Sequence, residues 1–265
     1  MRLCRPKSNR GQQSSAMGIE RYAGRVAMVT GASSGIGAAI TQALLRKGLT
    51  VVGLARRVDR VKALALKDAP GKLHAIQCDV SNEESILAAF KWVKGNLKGV
   101  DILINNAGVG NDADLITGKT EDWKRILDVN VLGLSICTRE AVQDMMTKGI
   151  DDGVIIHISS DLGHMSPPAG NIAMYIASKH MVKTLLDGLR KDLAKKKSKI
   201  RVGEISPGPV KTEFASNFKQ FNPEMLKLIP LHESEDVAEI VICMLSQDPR
   251  LQVHDVIMHP TGSAH

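Results

Sequence analysis

Arg25-Val26-Ala27-Met28-Val29-Thr30 runs straight into Gly31-Ala32-Ser33-Ser34-Gly35-Ile36-Gly37, and an amphipathic pattern then continues to Lys47. Six residues rich in apolar side chains and bounded by glycine predict a short buried strand. The pattern after the glycines has helical period. Strand, glycine turn and helix in direct succession form a phosphate cradle. Glycine lets the backbone approach a pyrophosphate, and the N–H groups of the first helical turn meet its negative charge. Gly31, Ser33, Ser34, Gly35, Ile36 and Gly37 are therefore candidate phosphate contacts. The spacing is TGxxxGxG rather than GxGxxG, and a glycine-rich turn taken alone is as often only a tight turn.

The strand-and-helix unit then repeats along the chain. Thr50–Ala55 predicts a second strand, Leu73–Cys78 a third and Val100–Ile104 a fourth, with helical segments between them. Gly153–Ser160, Lys199–Ile205 and a strand near Val253–Met258 complete the series. Alternation at βαβ spacing predicts a single α/β domain, a seven-stranded parallel sheet with helices on both faces. Ligands of such sheets bind beyond the carboxyl ends of the strands. Ser81 with Glu84 predicts a capping box for the helix after strand three, and Ser234-Glu235 the start of the last helix.

The second strand ends in Ala55 and then Arg56-Arg57. Where an acid would grip the ribose 2′-hydroxyl of NAD, arginines would meet the 2′-phosphate of NADP; two solvated loop arginines are the plainer alternative. Trp123, Ile126, Leu127, Val129, Asn130, Val131 and Leu134 fall at mostly helical spacing. Asn130 is polar within that apolar run, so it needs a buried partner or has a task there.

Met174-Tyr175-Ile176-Ala177-Ser178-Lys179 places a phenol and an amine four residues apart on one helix face. A neighbouring cation favours phenolate, which suits general acid or base catalysis. By itself the pair is equally a surface coincidence.

Composition narrows the field. The chain has 265 residues, a net charge of +7 and only eight Phe, Trp and Tyr residues. Arg2, Arg5, Lys7 and Arg10 supply four of those charges, and the remainder is scattered among acids except for Lys195-Lys196-Lys197 at a helix end. No nucleic-acid-reading module is present. No apolar run approaches the ~20 residues of a membrane span. Cys4, Cys78, Cys137 and Cys243 lack metal spacing and read as reduced thiols, three of them in apolar segments of a cytoplasmic protein. Residues 1–20 read as a flexible basic leader before a domain at 21–265. A transit segment, a disordered extension, an expression remnant and a start at Met17 all remain open for it.

Taken together in this order, the Thr30–Gly37 turn, Asn105-Asn106-Ala107-Gly108, Asn130, Ser160, Tyr175 and Lys179 resemble the short-chain dehydrogenase/reductase family from about residue 20 onward. Asp128–Ala141 and Val253–Thr261 are similar to a branch that includes farnesol-dehydrogenase-like enzymes. The resemblance implies a Rossmann-type, doubly wound fold and an NADP-dependent oxidoreductase that is commonly a homodimer or homotetramer. It implies that Tyr175 is the general acid/base, that Ser160 rather than Ser159 holds the substrate oxygen, that Lys179 lowers the proton affinity of the tyrosine and binds ribose, and that Asn130 anchors a water. Ser160 precedes Tyr175 by a longer loop than in many members. Asp79 and Val80 would flank adenine, Asn106, Ala107 and Gly108 its ribose, and Pro207, Gly208, Val210 and Thr212 the nicotinamide carboxamide. Glu213–Leu231, with Phe214, Phe218, Phe221, Met225, Leu226, Leu228 and Ile229, is either an apolar lid over a hydrophobic alcohol or carbonyl, such as a prenyl alcohol or a steroid, or an ordinary core helix. His164, near the same loop, either touches substrate or faces solvent. A catalytically silent NADP-binding scaffold would share the fold.

Overall fold

The seven strands form one parallel sheet in the order β3-β2-β1-β4-β5-β6-β7. They run Val26–Thr30, Thr50–Ala55, Lys72–Gln77, Ile102–Asn105, Val154–Ile158, Arg201–Pro207 and Asp255–Met258. The computed structural model describes residues 18–165, 170–218 and 223–263. Chain order reverses between β1, which pairs with β2, and β4, which pairs with β1 on its other side. Such a reversal splays the loops at the carboxyl ends apart and opens a crevice there.

Both faces of the sheet are covered. Ala27 and Val29 of β1 pack into a cluster with Ile40 and Leu44 of α1 (Gly35–Arg46) and Val241 and Leu245 of α8 (Ser234–Ser246). Val26 and Met28, pointing the other way, join Phe90 of α3 (Glu83–Leu97), Met145 of α5 (Leu134–Thr147) and Leu186 of α6 (Ala173–Lys195). Two further helices, α2 (Val58–Lys62) and α7 (Pro223–Leu226), are little more than single turns. Alternate residues feeding two cores explain why the strands read as continuous apolar runs.

Several ends differ from the sequence expectation by one or two residues, the ordinary fraying of such boundaries. The cap of α3 differs in kind. Asp79 takes both the backbone N–H and the hydroxyl of Ser81, at 3.0 and 2.7 Å, so Ser81 is unavailable. Asn82 caps instead, its Oδ1 accepting from Ser85 N at 2.9 Å. The long helical stretch is broken into α4 (Thr120–Leu127), a π-helical turn Asp128–Gly133 and α5. Of the cysteines in the described residues Cys78 and Cys137 are buried, but Cys243 is exposed on α8.

Residues 1–17 of the expected leader lie outside the described residues, and the fold is already under way at Ile19–Tyr22, a 3-10 turn with both end residues buried. The Tyr22 hydroxyl accepts from Arg201 Nη2 at 2.6 Å, and the Arg25 guanidinium sits 5.0 Å from the ring centroid. Removing the hydroxyl leaves a largely buried guanidinium short of an acceptor. Tyr22→Phe is expected to lower unfolding free energy by about 1–3 kcal/mol, read as a lower urea midpoint at unchanged slope.

Candidate active site

A cleft of about 260 Å³ lies at the carboxyl ends of the central strands. Its floor is the glycine turn. Gly31 has φ +67°, and a Cβ there would stand 2.9 Å from Ala107 Cα. At Gly37 a Cβ would come within 2.4 Å of both Gly31 O and Asn106 Nδ2, so only glycine lets α1 start this close to the turn. Ser34, the N-cap, makes no side-chain cap bond to the first turn of α1. The helix start is thus open toward the cleft, the arrangement that receives an anion. Asn106 ties the two sides of the crevice: its backbone N–H donates to Thr30 Oγ1 at 3.0 Å and its Nδ2 to Thr30 O at 2.9 Å.

Arg56 and Arg57 line the edge of the cleft beside buried Ala55. Arg57 Nη2 donates to Ser34 Oγ at 3.1 Å and to Glu213 Oε2 at 3.2 Å, and Arg60 Nη1 donates to Glu213 Oε1 at 2.8 Å. Arg60 was not among the residues expected from sequence, and Glu213 was expected only as the first residue of the lid segment. Glu213 stands far from the arginines in the chain, and only the return of the segment after β6 over the cleft brings them together. Burial works against the Asp79 carboxylate at the same edge, but its bonds from Ser81 and the charge of Arg56 hold it below the ordinary carboxylate range. Val80, Ala107 and Gly108 also line this end.

Tyr175 and Lys179 enter from α6 at the opposite end, 7% and 6% exposed. Lys179 Nζ donates to Ile158 O at 3.2 Å and lies 5.7 Å from the Tyr175 ring centroid. Burial pushes the Lys179 amine down to about 8, with Glu204 opposing the shift. It pushes the Tyr175 phenol up, and the group that draws the phenol back is the Ser160 hydroxyl rather than the Lys179 charge. Desolvation of the aromatic pocket explains why the expected depression by the lysine is outweighed.

Ser160 Oγ donates to Asp161 Oδ1 at 2.9 Å and accepts from Leu162 N at 3.2 Å. Ser159 lines the cleft, with its Oγ buried and lacking a hydrogen-bond partner among the described residues. The expected serine is therefore beside the phenol, and its neighbour faces the cleft.

Asn130 sits in the π-turn, 1% exposed, and does not line the cleft. Its Oδ1 accepts from Val109 N at 2.8 Å, and its Nδ2 donates to Val109 O at 2.9 Å and Ser178 Oγ at 3.0 Å. Ser178 Oγ in turn donates to Tyr175 O at 2.6 Å. The amide clamps the loop after β4 to the helix that carries the phenol, and these are the buried partners that a polar residue in an apolar run needs. A Cβ on Gly108 would lie 3.7 Å from Asn130 Oδ1 and 3.9 Å from Lys179 Nζ, so the three residues meet.

Thr212 lines the cleft, but Pro207, Gly208 and Val210 do not. Gly208 N donates to Met258 O at 2.8 Å, and Val210 bridges to His232. Of the expected apolar lid, Phe214 and Phe218 lie on the Tyr175 ring at centroid distances of 5.6 and 5.7 Å. Leu228 is 83% exposed and does not join them, and Phe221 lies outside the described residues. His164 faces neither substrate nor solvent but the interior, its Nε2 2.9 Å from Ser206 Oγ.

The profile of the short chain dehydrogenase family matches residues 25–223. The chain belongs to the short-chain dehydrogenase/reductase family. As an oxidoreductase of this family it is 47% identical over 251 residues to Dehydrogenase/reductase SDR family member 11 of Bos taurus, across 92% of this chain and 98% of that one. It is 45% identical over 252 residues to Farnesol dehydrogenase of Aedes aegypti, across 92% and 99%. Among solved structures, the short-chain fold is shared with an alcohol dehydrogenase from the archaeon Thermococcus sibiricus complexed with 5-hydroxy-NADP. That match has TM-score 0.79 and 26% identity, over 91% of this chain and 98% of that one.

Proposed function

We propose that this short-chain oxidoreductase interconverts a hydrophobic alcohol and its carbonyl compound with NADP(H), Tyr175 carrying the proton. The observation behind this reading is the juxtaposition of a buried phenol and amine, at one end of the cleft, with a glycine-lined helix start and the arginines Arg56 and Arg57 at the other, Ala55 standing where an acid would. The residues present fit the dinucleotide. The space a Cβ would need at Gly31 and Gly37 is taken by protein backbone and the Asn106 amide, so glycine is what lets the turn close against the start of α1, and that uncapped start faces the cleft as a pyrophosphate requires.

In this reading Ser33 to Gly37 hold the pyrophosphate, and Arg56 and Arg57 the 2′-phosphate. Asp79 and Val80 flank adenine, Asn106 to Gly108 its ribose, and Thr212 meets the nicotinamide end, with Pro207, Gly208 and Val210 carrying the segment that leads to it. When bound, the nicotinamide supplies or accepts the hydride at the reacting carbon. Tyr175 gives its proton to the carbonyl oxygen in reduction and takes it back in oxidation. Burial keeps the phenol protonated at neutral pH, which suits the acid role. Ser160, beside the phenol, turns its hydroxyl from Asp161 to the substrate oxygen, and Lys179 binds the ribose. Asn130 keeps α6 and the loop after β4 in register so that the reacting groups stay within reach.

Phe214 and Phe218 give the substrate end an aromatic wall, which favours a prenyl or steroid-like skeleton over a small polar carbonyl. The Farnesol dehydrogenase name of the Aedes aegypti relative supports the same class. The proposal extends to a cytoplasmic homodimer or homotetramer, the habit of the family. Assays of prenyl, steroid and small carbonyl substrates with NADPH and NADH in parallel test the reading. Turnover of the hydrophobic substrates with NADPH supports it, and turnover restricted to NADH or to small polar carbonyls contradicts it. Phe214→Ala is expected to raise KM for a prenyl substrate about 10–100-fold, from the loss of about 1.5–3 kcal/mol of apolar contact. KM for a small carbonyl should change far less, and steady-state kinetics on the pair reads the difference.

A further inference from the structure

Beneath the active-site lysine the sheet carries a carboxylate that the reaction does not use. Glu204 of β6 is fully buried, and its Oε2 has no hydrogen-bond partner among the described residues. Its Oε1 accepts from Ser206 Oγ at 2.9 Å. Ser206 Oγ lies 2.9 Å from His164 Nε2, and His164 Nδ1 lies 3.0 Å from Lys183 Nζ. His164 Nε2 is also 3.3 Å from Glu204 Oε1.

The donor roles along this chain are fixed by its ends. An ammonium has only donors, so Lys183 donates to Nδ1 and the Nε2 of the ring carries the hydrogen. Nε2–H then points at Ser206 and Glu204, and Ser206 donates onward to Glu204. Every hydrogen bond runs inward, from the partly exposed Lys183 to a carboxylate sealed from water. Lys183 is one turn beyond Lys179 on α6, and the turn Asp161–Gly163 that leads to His164 is packed on that helix. A Cβ at Gly163 would stand 3.2 Å from Lys179 O.

Other charged groups around Glu204 are few. On β5 its register partner is His157, fully buried and pushed down to about 3 by burial, so it is neutral. On β7 Asp255 opposes the Glu204 charge, but it is exposed and paired to Arg190 of α6 at 3.4 Å. Burial and Asp255 raise the proton affinity of Glu204, while Ser206, His164 and Lys179 lower it. Val202, on the same face of β6, packs with Leu186 of α6. Lys179 Nζ donates to Ile158 O, and Ile158 is the register partner of Ile205, next to Glu204. Amine and carboxylate therefore share this stretch of the β5–β6 pair, and Glu204 opposes the lowering of the Lys179 proton affinity. A charge set in a sheet core costs desolvation that an apolar residue would not, so fold stability is a poor reason for its presence.

We propose that Glu204, anchored by the Lys183–His164–Ser206 chain, is a positioning residue whose carboxylate stands beneath α6 as the counter-charge of the Lys179 ammonium. This rests on Tyr175 and Lys179 being the reacting pair, and its test has a readout independent of that reading. In nucleotide-free protein carrying [13Cε]lysine, the Lys179 resonance, assigned by its loss in Lys179→Arg, is titrated in wild type and in Glu204→Gln. An opposite charge removed from close range moves the Lys179 midpoint down by about one pH unit. In carbonyl reduction with NADPH the falling alkaline limb of kcat/KM moves down by the same amount, about tenfold at a pH on that limb. Should the amide variant fail to fold, Glu204→Met fills the site without charge and carries the same expectation. Lys179 titration and pH profile that superimpose on wild type in a folded variant overturn the proposal. An enzyme silent toward every substrate overturns the alcohol-dehydrogenase reading instead, and the resonance shift still decides this one.

Discussion

Tyr175→Phe is expected to lower turnover by about 10²–10⁴-fold, the range a positioned proton donor contributes. The substitution keeps the ring that Phe214 and Phe218 pack against and deletes only the hydroxyl, so the aromatic wall survives. Among the described residues the remaining donors are too weak or misdirected: Ser159 and Ser160 are alcohols, and Lys179 is directed at Ile158 O. NADPH affinity, followed by quenching of protein fluorescence, should change by less than about threefold. Retention of more than a few per cent of turnover would refute the assignment. The buried phenol also sets the sign of the pH dependence. With its proton affinity raised by desolvation, Tyr175 stays protonated through neutral pH, so reduction holds its rate there and falls only on the alkaline side, where Lys179 loses its charge near 8.

Arg57→Ala is expected to cut kcat/KM with NADPH by tenfold to hundredfold and to leave NADH nearly unchanged. One charge-assisted contact to phosphate is worth about 1.5–3 kcal/mol, and NADH presents nothing for it to grip. Arg57 is exposed and its bonds to Ser34 and Glu213 are at the surface, so the variant should fold normally. Glu213 holds both Arg57 and Arg60, so on the proposed reading a 2′-phosphate would compete with that carboxylate for Arg57 and part of its gain would be offset. Equal losses with both cofactors would mean that Arg57 supports the loop at Glu213 rather than reading the phosphate.

The fold was largely legible because its signals are local. Each strand reads as an apolar run, each glycine marks a turn, and Ala27/Val29 against Val26/Met28 shows why the period of two is hidden when both faces are covered. The glycine turn and the Tyr175/Lys179 pair were legible for the same reason, since their geometry is set within a few residues. What sequence did not show depends on contacts across the chain. The π-turn at Asp128–Gly133 puts Asn130 between Val109 and Ser178, and nothing in its neighbours' spacing announces it. Ser81 lost its cap role to Asn82 because Asp79 competes for it. Glu213 reaches Arg57 and Arg60 only through the return of the chain over the cleft. In sequence Glu204 is only one residue of a strand, and His164 a loop histidine that either touches substrate or faces solvent. Their burial together is a property of the packed sheet.

Hydride and proton delivery can be followed in a single measurement. With farnesal and NADPH deuterated at the transferred position, product mass spectrometry on wild type and Tyr175→Phe tests the account most directly. It predicts one deuterium on the carbinol carbon of the wild-type product and almost no product from the variant. Product without deuterium, or equal yields from the two proteins, would contradict it.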